Sequence, residues 1–341
     1  MSSLMLAVRR IVDPYLIALI CTVVLAALLP ARGVAAGAMD DAVYAAVALL
    51  FFLYGARLSP QAVRDGITHW RLQSLVFLST FVLFPVLGLV LTTVLRPWLT
   101  PELTMGLMFV CVLPSTVQSS IAFTSIARGN VSAALCSASV SNLLGMVLTP
   151  ALVALMLSAH GGGFSMKALL DIGLQLLLPF VLGQLLRPLI GAWLLRHKTI
   201  TSVVDRGSVL LVVYAAFSAG MVAGIWTEVT LPQLGLILLL DVVLLFSVLG
   251  LTTLVSRRLG FSTEDEIAIV FCGSKKSMAG GIPMANILFP GHAVGLIVLP
   301  LMLFHQAQLF ACATLARRYR ERTTSTQTRK TLALARSQAT V

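Results

Sequence analysis

Charged residues are scarce in this chain of 341 residues, at 11%, and only 13 residues are Asp or Glu. Apolar residues make up 58% of the chain, and the mean hydropathy is +0.97. A soluble domain of this size could not bury so much apolar surface, and no connection is long enough to form such a domain. The composition therefore predicts a polytopic membrane protein.

Cysteine and histidine are also rare, with five residues of each. The cysteines lie in apolar segments without paired spacing or nearby histidines, which argues against disulfides and zinc sites. No serine has a histidine and an aspartate on nearby turns, as a nucleophilic enzyme would need. We therefore expect no enzyme, no cofactor and no metal other than a coupling sodium ion.

Windows of about 20 apolar residues predict ten transmembrane helices. The predicted spans are roughly 14–31, 41–58, 72–95, 103–126, 131–157, 168–190, 207–225, 232–255, 265–289 and 293–316. An apolar run after paired arginines resembles a secretory signal, but the spans alternate consistently only if this segment is retained as the first helix.

Basic residues are concentrated on one side of this arrangement, which the positive-inside rule assigns to the cytoplasm. Of the 24 lysines and arginines, only Arg32, Arg96 and Lys167 fall on the other side, and Lys275 and Lys276 lie within a span. We expect a bacterial inner-membrane protein with both termini in the cytoplasm. Orientation and attraction to anionic lipid account for most of the net charge of +11, so nucleic-acid binding is not expected.

Ten spans divide into two halves of five with opposite topology, which predicts an inverted repeat. The repeats would cover residues 1–158 and 159–316, and residues 317–341 would form a basic cytoplasmic tail, mobile at the membrane surface. The fourth span of each half is interrupted by proline, glycine or polar residues. Matching interruptions of this kind predict a binding site near the bilayer midplane.

The first interruption supplies neutral oxygens suited to sodium or a polar substrate, and the fifth span adds small polar residues. An alternative role for these residues is close helix packing. The candidate binding residues here are Pro114, Ser115, Thr116, Gln118, Ser119, Ser120, Ser137, Ser141 and Asn142.

The second interruption contains two adjacent lysines, each of which costs about 2.5–3.5 kcal/mol near the bilayer centre. Such an ammonium could replace a bound sodium ion at the carbonyls of a half-helix C-terminus, attract an anionic substrate or pair with an acid. The candidate residues of this segment are Ser274, Lys275, Lys276, Ser277 and Pro283.

Asp241 and His305 are two further polar residues well inside predicted spans. Asp241 could take up a proton or neutralise one of the lysines. His305 could relay protons, although a hydrogen bond within the bundle is an equal alternative. Both residues are therefore candidates for coupling or charge pairing.

Several motifs resemble the bile acid:sodium symporter family, especially its subgroup of sodium/bile acid cotransporter 7-like proteins and bacterial symporters. The motifs are FFLYGARLS (51–59), LFPVLGL (83–89), LPSTVQSS (113–120), ARGN (127–130), LLGMVLTP (143–150), LPFVLGQLLRP (178–188), GFSTEDEIAIVFCGSKKSMAGGIPM (260–284) and LPLMLFHQAQ (299–308). The resemblance implies an all-α polytopic membrane protein with ten transmembrane helices as two inverted five-helix repeats. It implies panel and core domains, with helices 4 and 9 unwound and crossing, and transport by alternating access.

The resemblance also implies sodium ligands, but this chain departs from them. Ser119 and Ser120 fall near a Ser-Asn pair of helix 4, whereas two hydroxyl positions of helix 5 are alanines. The glutamate of helix 9 has no counterpart, Lys276 falls near its glutamine, and Thr80 replaces a glutamine of helix 3. We therefore expect the Lys276 ammonium to replace at least one sodium ion.

The sequence thus predicts a secondary active transporter, a symporter by its resemblance, for a small organic anion in the lipid bilayer. Coupling to sodium or to protons stays open, as do the substrate, the direction of transport and the oligomeric state. A membrane regulatory protein without transport on the same fold is the alternative.

Overall fold

The computed structural model describes residues 14–57, 69–159, 166–224 and 229–338, which form helices and short connections without any strand. Arg9, Arg10 and Arg64, which contribute to the predicted orientation, lie outside these ranges. The helices are numbered α1 (Pro14–Leu28), α2 (Val34–Arg57), α3 (Trp70–Leu95), α4 (Pro101–Val112), α5 (Val117–Ile126), α6 (Val131–Ala159), α7 (Met166–Arg196), α8 (Lys198–Ala223), α9 (Leu231–Arg258), α10 (Thr263–Gly273), α11 (Met278–Leu288) and α12 (Val294–Gln338).

Among the described residues, seven helices are long and apolar enough to cross a membrane, namely α2, α3, α6, α7, α8, α9 and α12. The α4–α5 pair, bent by 58°, would make an eighth crossing. The helices of the first and ninth predicted spans are too short to count as crossings by themselves. Helix α1 has 15 residues, and α10 and α11 have 11 each. Length and hydropathy thus support seven or eight crossings and confirm an all-helical membrane protein.

Several helix starts follow from capping side chains that bond the otherwise unpaired N–H groups of the first turn. The Thr100 side chain accepts from the Leu103 N–H before α4, and Thr230 and Gln233 form a capping box at the start of α9. Ser262 caps α10 in the same way.

Helix ends on the basic side extend further than hydropathy predicts. Only His197 separates α7 from α8, and α12 continues to Gln338 where a separate mobile tail was expected. The tail up to Gln338 contains neither glycine nor proline. Arginine and lysine lower the hydropathy but are good helix formers, so the helix does not end where its apolar span ends.

The helices pack in two groups. The first comprises α1, α2, α7 and α8, and the second comprises α3 to α6 and α9 to α12. Within the first group α2 and α7 approach closely through two glycines. A Cβ atom on Gly55 would lie 1.9 Å from the Phe180 carbonyl oxygen, and one on Gly183 would lie 2.0 Å from that of Phe52. Small residues are what allow helix backbones to meet in this way in a membrane.

Ion pairs join the helix ends that carry the basic residues. Arg57 at the end of α2 binds Asp205 of α8 through two hydrogen bonds of 2.9 and 2.7 Å. Arg257 of α9 binds Glu266 of α10 in the same manner, at 2.9 Å for both bonds. Tyr319 of α12 donates to the same Glu266 at 2.7 Å. These contacts fasten the basic end of α2 to α8 and the basic ends of α9 and α12 to α10.

Candidate functional site

Two interruptions of helical structure meet in the second group of helices. Residues 113–116 separate α4 from α5, and residues 274–277 separate α10 from α11. The Ser277 N–H donates to the Pro114 carbonyl at 2.9 Å, and the Thr116 hydroxyl donates to the Lys276 carbonyl at 2.8 Å. Thr116 and Ser277 hold the N-cap positions of α5 and α11. Each break therefore ends in a hydroxyl residue and bonds the backbone of the other.

Neighbouring polar side chains bond the backbone that the first break loosens. The Ser115 N–H donates to the Ser141 hydroxyl at 3.0 Å, and the Asn142 side-chain amide donates to the Ser115 carbonyl at 3.2 Å. At the second break, Ser120 of α5 donates to the Phe271 carbonyl near the end of α10, at 3.1 Å. Hydrocarbon offers no hydrogen bonds to unwound backbone, so in a membrane these side chains would replace the helical bonds that the breaks remove.

Lys276 is fully buried, and its ammonium group is held by backbone carbonyls. Its Nζ donates to the carbonyls of Thr80 at 2.9 Å, Cys111 at 2.8 Å and Leu113 at 2.8 Å. An ammonium has three protons, so all of its donors are used. The Phe84 ring centroid lies 4.0 Å from the same nitrogen, which adds a cation–π contact.

One of these carbonyls is freed by a π-helical turn in α3, at Ser79–Leu83. The Phe84 N–H bonds the Ser79 carbonyl, five residues earlier. In this π register the donor for the Thr80 carbonyl would be residue 85, which is a proline and has no N–H. The Thr80 carbonyl is therefore left to accept from Lys276.

The other two carbonyls belong to the C-terminal end of α4. The Ser115 N–H, which would bond Cys111 if the helix continued, bonds Ser141 instead. The chain then leaves the helical conformation, so the Leu113 carbonyl also lacks a helical donor. Carbonyls at a helix C-terminus carry a partial negative charge, which favours a cation there.

The backbone of Lys276 is fixed by Gln308 of α12. The Lys276 N–H donates to the Gln308 side-chain oxygen, and the Gln308 amide nitrogen donates to the Lys276 carbonyl, both at 3.0 Å. The same amide nitrogen lies 2.8 Å from Nδ1 of His305. Gln308 thus positions the lysine and is itself positioned by His305.

Lys275 is equally buried but points into a different environment. Its Nζ lies 3.8 Å from the Phe123 ring centroid and 5.8 Å from that of Phe271. The ammonium has no hydrogen-bond partner. The two adjacent lysines therefore differ sharply, since one is fully hydrogen-bonded and the other rests against aromatic rings.

A cavity of about 390 Å³ lies between the two groups of helices. The first turns of α5 and α11 face it, and its wall also contains an apolar surface and an Arg57–Asp205 ion pair. Neither lysine lines the cavity. The predicted site residues that do line it are Thr116, Gln118, Ser119, Asn142, Ser277 and His305. Its other lining residues include Tyr15, Tyr54, Leu135, Leu143, Met146, Phe180, Ser202, Arg206 and Leu309.

A second cavity of about 360 Å³ lies between α3 and α6. Ser137 and Ser141 line it, together with Gln73 and Ser74. The Ser137 hydroxyl and the Gln73 amide nitrogen have no hydrogen-bond partner. The serines predicted on the fifth span therefore line a different cavity from Asn142.

Two expectations for site residues require correction, those for Asp241 and Pro283. Asp241 is fully buried, but neither of its carboxyl oxygens has a hydrogen-bond partner, so the described side chains form no Asp241–lysine pair. Pro283 lies inside α11 and does not mark the break. The Ser274 hydroxyl donates to the Val270 carbonyl of α10 at 2.6 Å, and this residue does not line the cavity. The unwinding is confined to residues 274–277. There the Pro114 carbonyl and the Gln308 side chain bond the loosened backbone, so helical structure resumes before Pro283.

The sequence reasoning named carbonyls at a half-helix C-terminus as one possible partner of a lysine, and the Cys111 and Leu113 carbonyls fit this description. It did not identify these carbonyls or that of Thr80, because carbonyl ligands leave no side-chain signal. Pro85, five residues after Thr80, is the one signal that could have indicated a free carbonyl in α3. Arg57 and Arg206 were also missed, since they were counted only as part of the basic side of the protein, and Asp205 was not considered. Within residues 14–57, 69–159, 166–224 and 229–338, no group of three or more His, Cys, Asp or Glu side chains could hold a metal ion.

Comparisons with known proteins agree with this architecture. The chain is 57% identical over 316 residues to an uncharacterised protein, PA2026 of Pseudomonas aeruginosa, covering 92% of this chain and 95% of the relative. It is 52% identical over 318 residues to the Escherichia coli protein named "Putative symporter YfeH", covering 93% and 96%. It is 30% identical over 308 residues to sodium/bile acid cotransporter 7 of Mus musculus, covering 86% and 88%.

The profile of one protein family matches residues 13–321, which is nearly the whole membrane region. Together with the named symporters, this match confirms the resemblance to the bile acid:sodium symporter family that the motifs indicated. The chain belongs to the SBF-like CPA transporter family.

Proposed function

We propose that this protein is a secondary active transporter that moves a small organic anion across the bacterial inner membrane by alternating access. In this proposal the first group of helices is the panel and the second group is the core. The cavity between them holds the substrate and is exposed to each side in turn as the groups rock. Both termini lie in the cytoplasm.

The two breaks support an inverted repeat within the core. Helices of 12 and 10 residues flank residues 113–116, and helices of 11 and 11 residues flank residues 274–277. Each break is four residues long and ends in a hydroxyl residue at the N-cap position of the next helix. Paired broken helices of this kind are typical of substrate and ion sites in transporters with inverted repeats.

The direction of the half-helices favours an anionic substrate. The first turns of α5 and α11 line the cavity, including Gln118 and Ser119 of one and Met278 and Ala279 of the other. Helix N-termini carry a partial positive charge and unpaired N–H groups. The carbonyls at the C-terminus of α4 carry the opposite, negative partial charge, and they bind the Lys276 ammonium. The cavity is thus electropositive at its helix ends.

The observation that carries the proposal is the set of three carbonyls around the Lys276 ammonium. Carbonyl oxygens at unwound helix ends are the groups that bind coupling cations in transporters of this general type. A tethered ammonium fills such a position with one positive charge and cannot dissociate. We infer that Lys276 replaces a sodium ion at this position.

Because Lys276 fills one cation position and Asp241 is proposed below for proton coupling, we expect transport not to require sodium. Purified protein in proteoliposomes is expected to take up a labelled organic anion at the same rate in sodium and choline media. Cholate is a suitable first probe because relatives are named bile acid cotransporters, followed by small carboxylates and sulfonates. Empty liposomes provide the background.

Sodium dependence with two ions per transport cycle would refute the replacement of sodium by Lys276. The absence of uptake and of any thermal stabilisation across the whole solute panel would instead favour a regulatory protein without transport. The two outcomes are distinct, because the first requires transport and the second excludes it.

Asp241 is the group we propose for proton coupling. A buried carboxylate without a partner is strongly disfavoured in its ionised form, so a proton can be taken up and released there only with a conformational change. Asp241→Asn is expected to abolish uptake driven by a pH gradient while leaving exchange of labelled for unlabelled solute intact. Equal gradient-driven uptake by the variant and the wild type would show that the proton is carried elsewhere.

A further inference from the structure

We propose that Arg206 of α8 binds the acidic group of the transported solute and makes the cavity selective for anions over their neutral counterparts. This inference rests on the proposed transport function and adds a specific residue to it. Among the described lysines and arginines in or near the cavity, Arg206 is the one whose charge remains available to a ligand.

Neither buried lysine can serve this purpose in the described conformation. The ammonium of Lys276 has all three protons bound by carbonyls. Lys275 is enclosed against Phe123 and Phe271, and neither lysine lines the cavity. An anion in the cavity would therefore not contact either ammonium.

Arg57 lines the cavity but already has an anionic partner. Two of its nitrogens bind both oxygens of Asp205, and its Nε donates to the Leu53 carbonyl at 3.1 Å. Bidentate pairing of this kind uses the two parallel donors that would recognise a carboxylate or sulfonate. Asp205 thus neutralises Arg57, and together the two contribute no net charge.

Arg206 is adjacent to Asp205 in sequence but is not its ion-pair partner, and no carboxylate of the described chain lies within ion-pair distance of it. Its guanidinium carbon lies 5.4 Å from the centroid of the Tyr15 ring, which also lines the cavity. Stacking on an aromatic face holds a guanidinium plane and leaves its N–H donors free for an anion. Ser202, one turn earlier on the same helix face, adds a hydroxyl beside it.

The remaining walls suit the body of an amphipathic anion. Phe180, Leu143, Met146 and Leu309 form an apolar surface in the same cavity as Arg206. A ligand with an acidic group at one end and an apolar body could contact both at once. Arg206 would then bind the acidic group, and the apolar surface would contact the rest of the ligand.

The test measures binding of matched charged and neutral probes to the full chain in lipid nanodiscs. Cholate is paired with its methyl ester, and naphthalene-2-sulfonate with the corresponding sulfonamide, by equilibrium dialysis with empty nanodiscs as background. Arg206→Ala is expected to weaken binding of the charged probes about tenfold, the effect of losing a charge-assisted contact, and to leave the neutral probes unchanged. Arg206→Lys should retain part of the preference, because it keeps the charge but loses the planar fork.

Arg71→Ala is the matched control. Arg71 is exposed at the start of α3 and stacks on Phe261 at 5.3 Å, but it does not line the cavity. Equal losses in Arg71→Ala and Arg206→Ala, or no loss in Arg206→Ala, would overturn the proposal while leaving transport itself in place. Failure of the wild type to bind any charged probe would overturn both this inference and the proposed anion transport.

Discussion

Lys276→Ala is expected to lower the apparent melting temperature of the purified protein by roughly 5–10 °C, on the scale that relates free energy to melting temperature in soluble domains. The substitution removes the donor of three buried carbonyls, those of Thr80, Cys111 and Leu113. A buried polar group left without a partner costs about 1–3 kcal/mol. Part of this loss should be recovered in sodium chloride but not in choline chloride, because the vacated carbonyls resemble a cation site.

Lys275→Ala is the matched control for this prediction. Both lysines are fully buried and adjacent, so both substitutions remove the same side chain from the interior. Lys275 has no hydrogen-bond partner, and its removal also relieves a desolvated charge. We expect a smaller loss without a sodium response. Equal losses in the two variants, or a sodium response in both, would show that the carbonyl contacts do not distinguish Lys276.

The charge pattern and the hydropathy of the sequence were sufficient to predict a helical membrane protein, because bilayer thickness requires long apolar helices. They were less reliable at the first and ninth predicted spans. There α1 is short, and Lys275, Lys276 and the acidic start of α10 reduce the hydropathy of the segment. Helices α7, α8 and α12 also extend beyond the predicted spans, because they continue through basic residues that a hydropathy window leaves out of a span.

The position of the site was predictable to a similar extent. Pro114 and the polar residues after it indicated the first break. The second was indicated by the glycines and the proline around the two lysines, namely Gly273, Gly280, Gly281 and Pro283. The different surroundings of Lys275 and Lys276 could not be predicted, because they depend on which neighbouring helix each side chain contacts. The carbonyl ligands, the Gln308 contact and the Asp205–Arg57 pair join residues far apart in sequence, which no local pattern encodes.

Gly55→Ala and Gly183→Ala are each expected to prevent correct packing of α2 against α7. The added Cβ atoms would lie 1.9 and 2.0 Å from backbone carbonyl oxygens, which cannot move away as a side chain could. Overpacking of a buried site costs about 1–3 kcal/mol and sometimes more, and rigid backbone contacts place these variants at the upper end. The measurements are the yield of monodisperse protein in size-exclusion chromatography and its apparent melting temperature.

Gly235→Ala and Gly250→Ala in α9 provide controls of opposite sign. Nothing lies within 4 Å of a Cβ atom added at either position, and alanine is favoured over glycine within a helix by roughly 0.5–1 kcal/mol. These variants should be as stable as the wild type or slightly more stable. If Gly55→Ala and Gly183→Ala behaved like them, α2 and α7 could not be in backbone contact. The wall that presents Arg57 and Phe180 to the cavity would then be misplaced, and the anion site proposed beside it would lose its geometric basis.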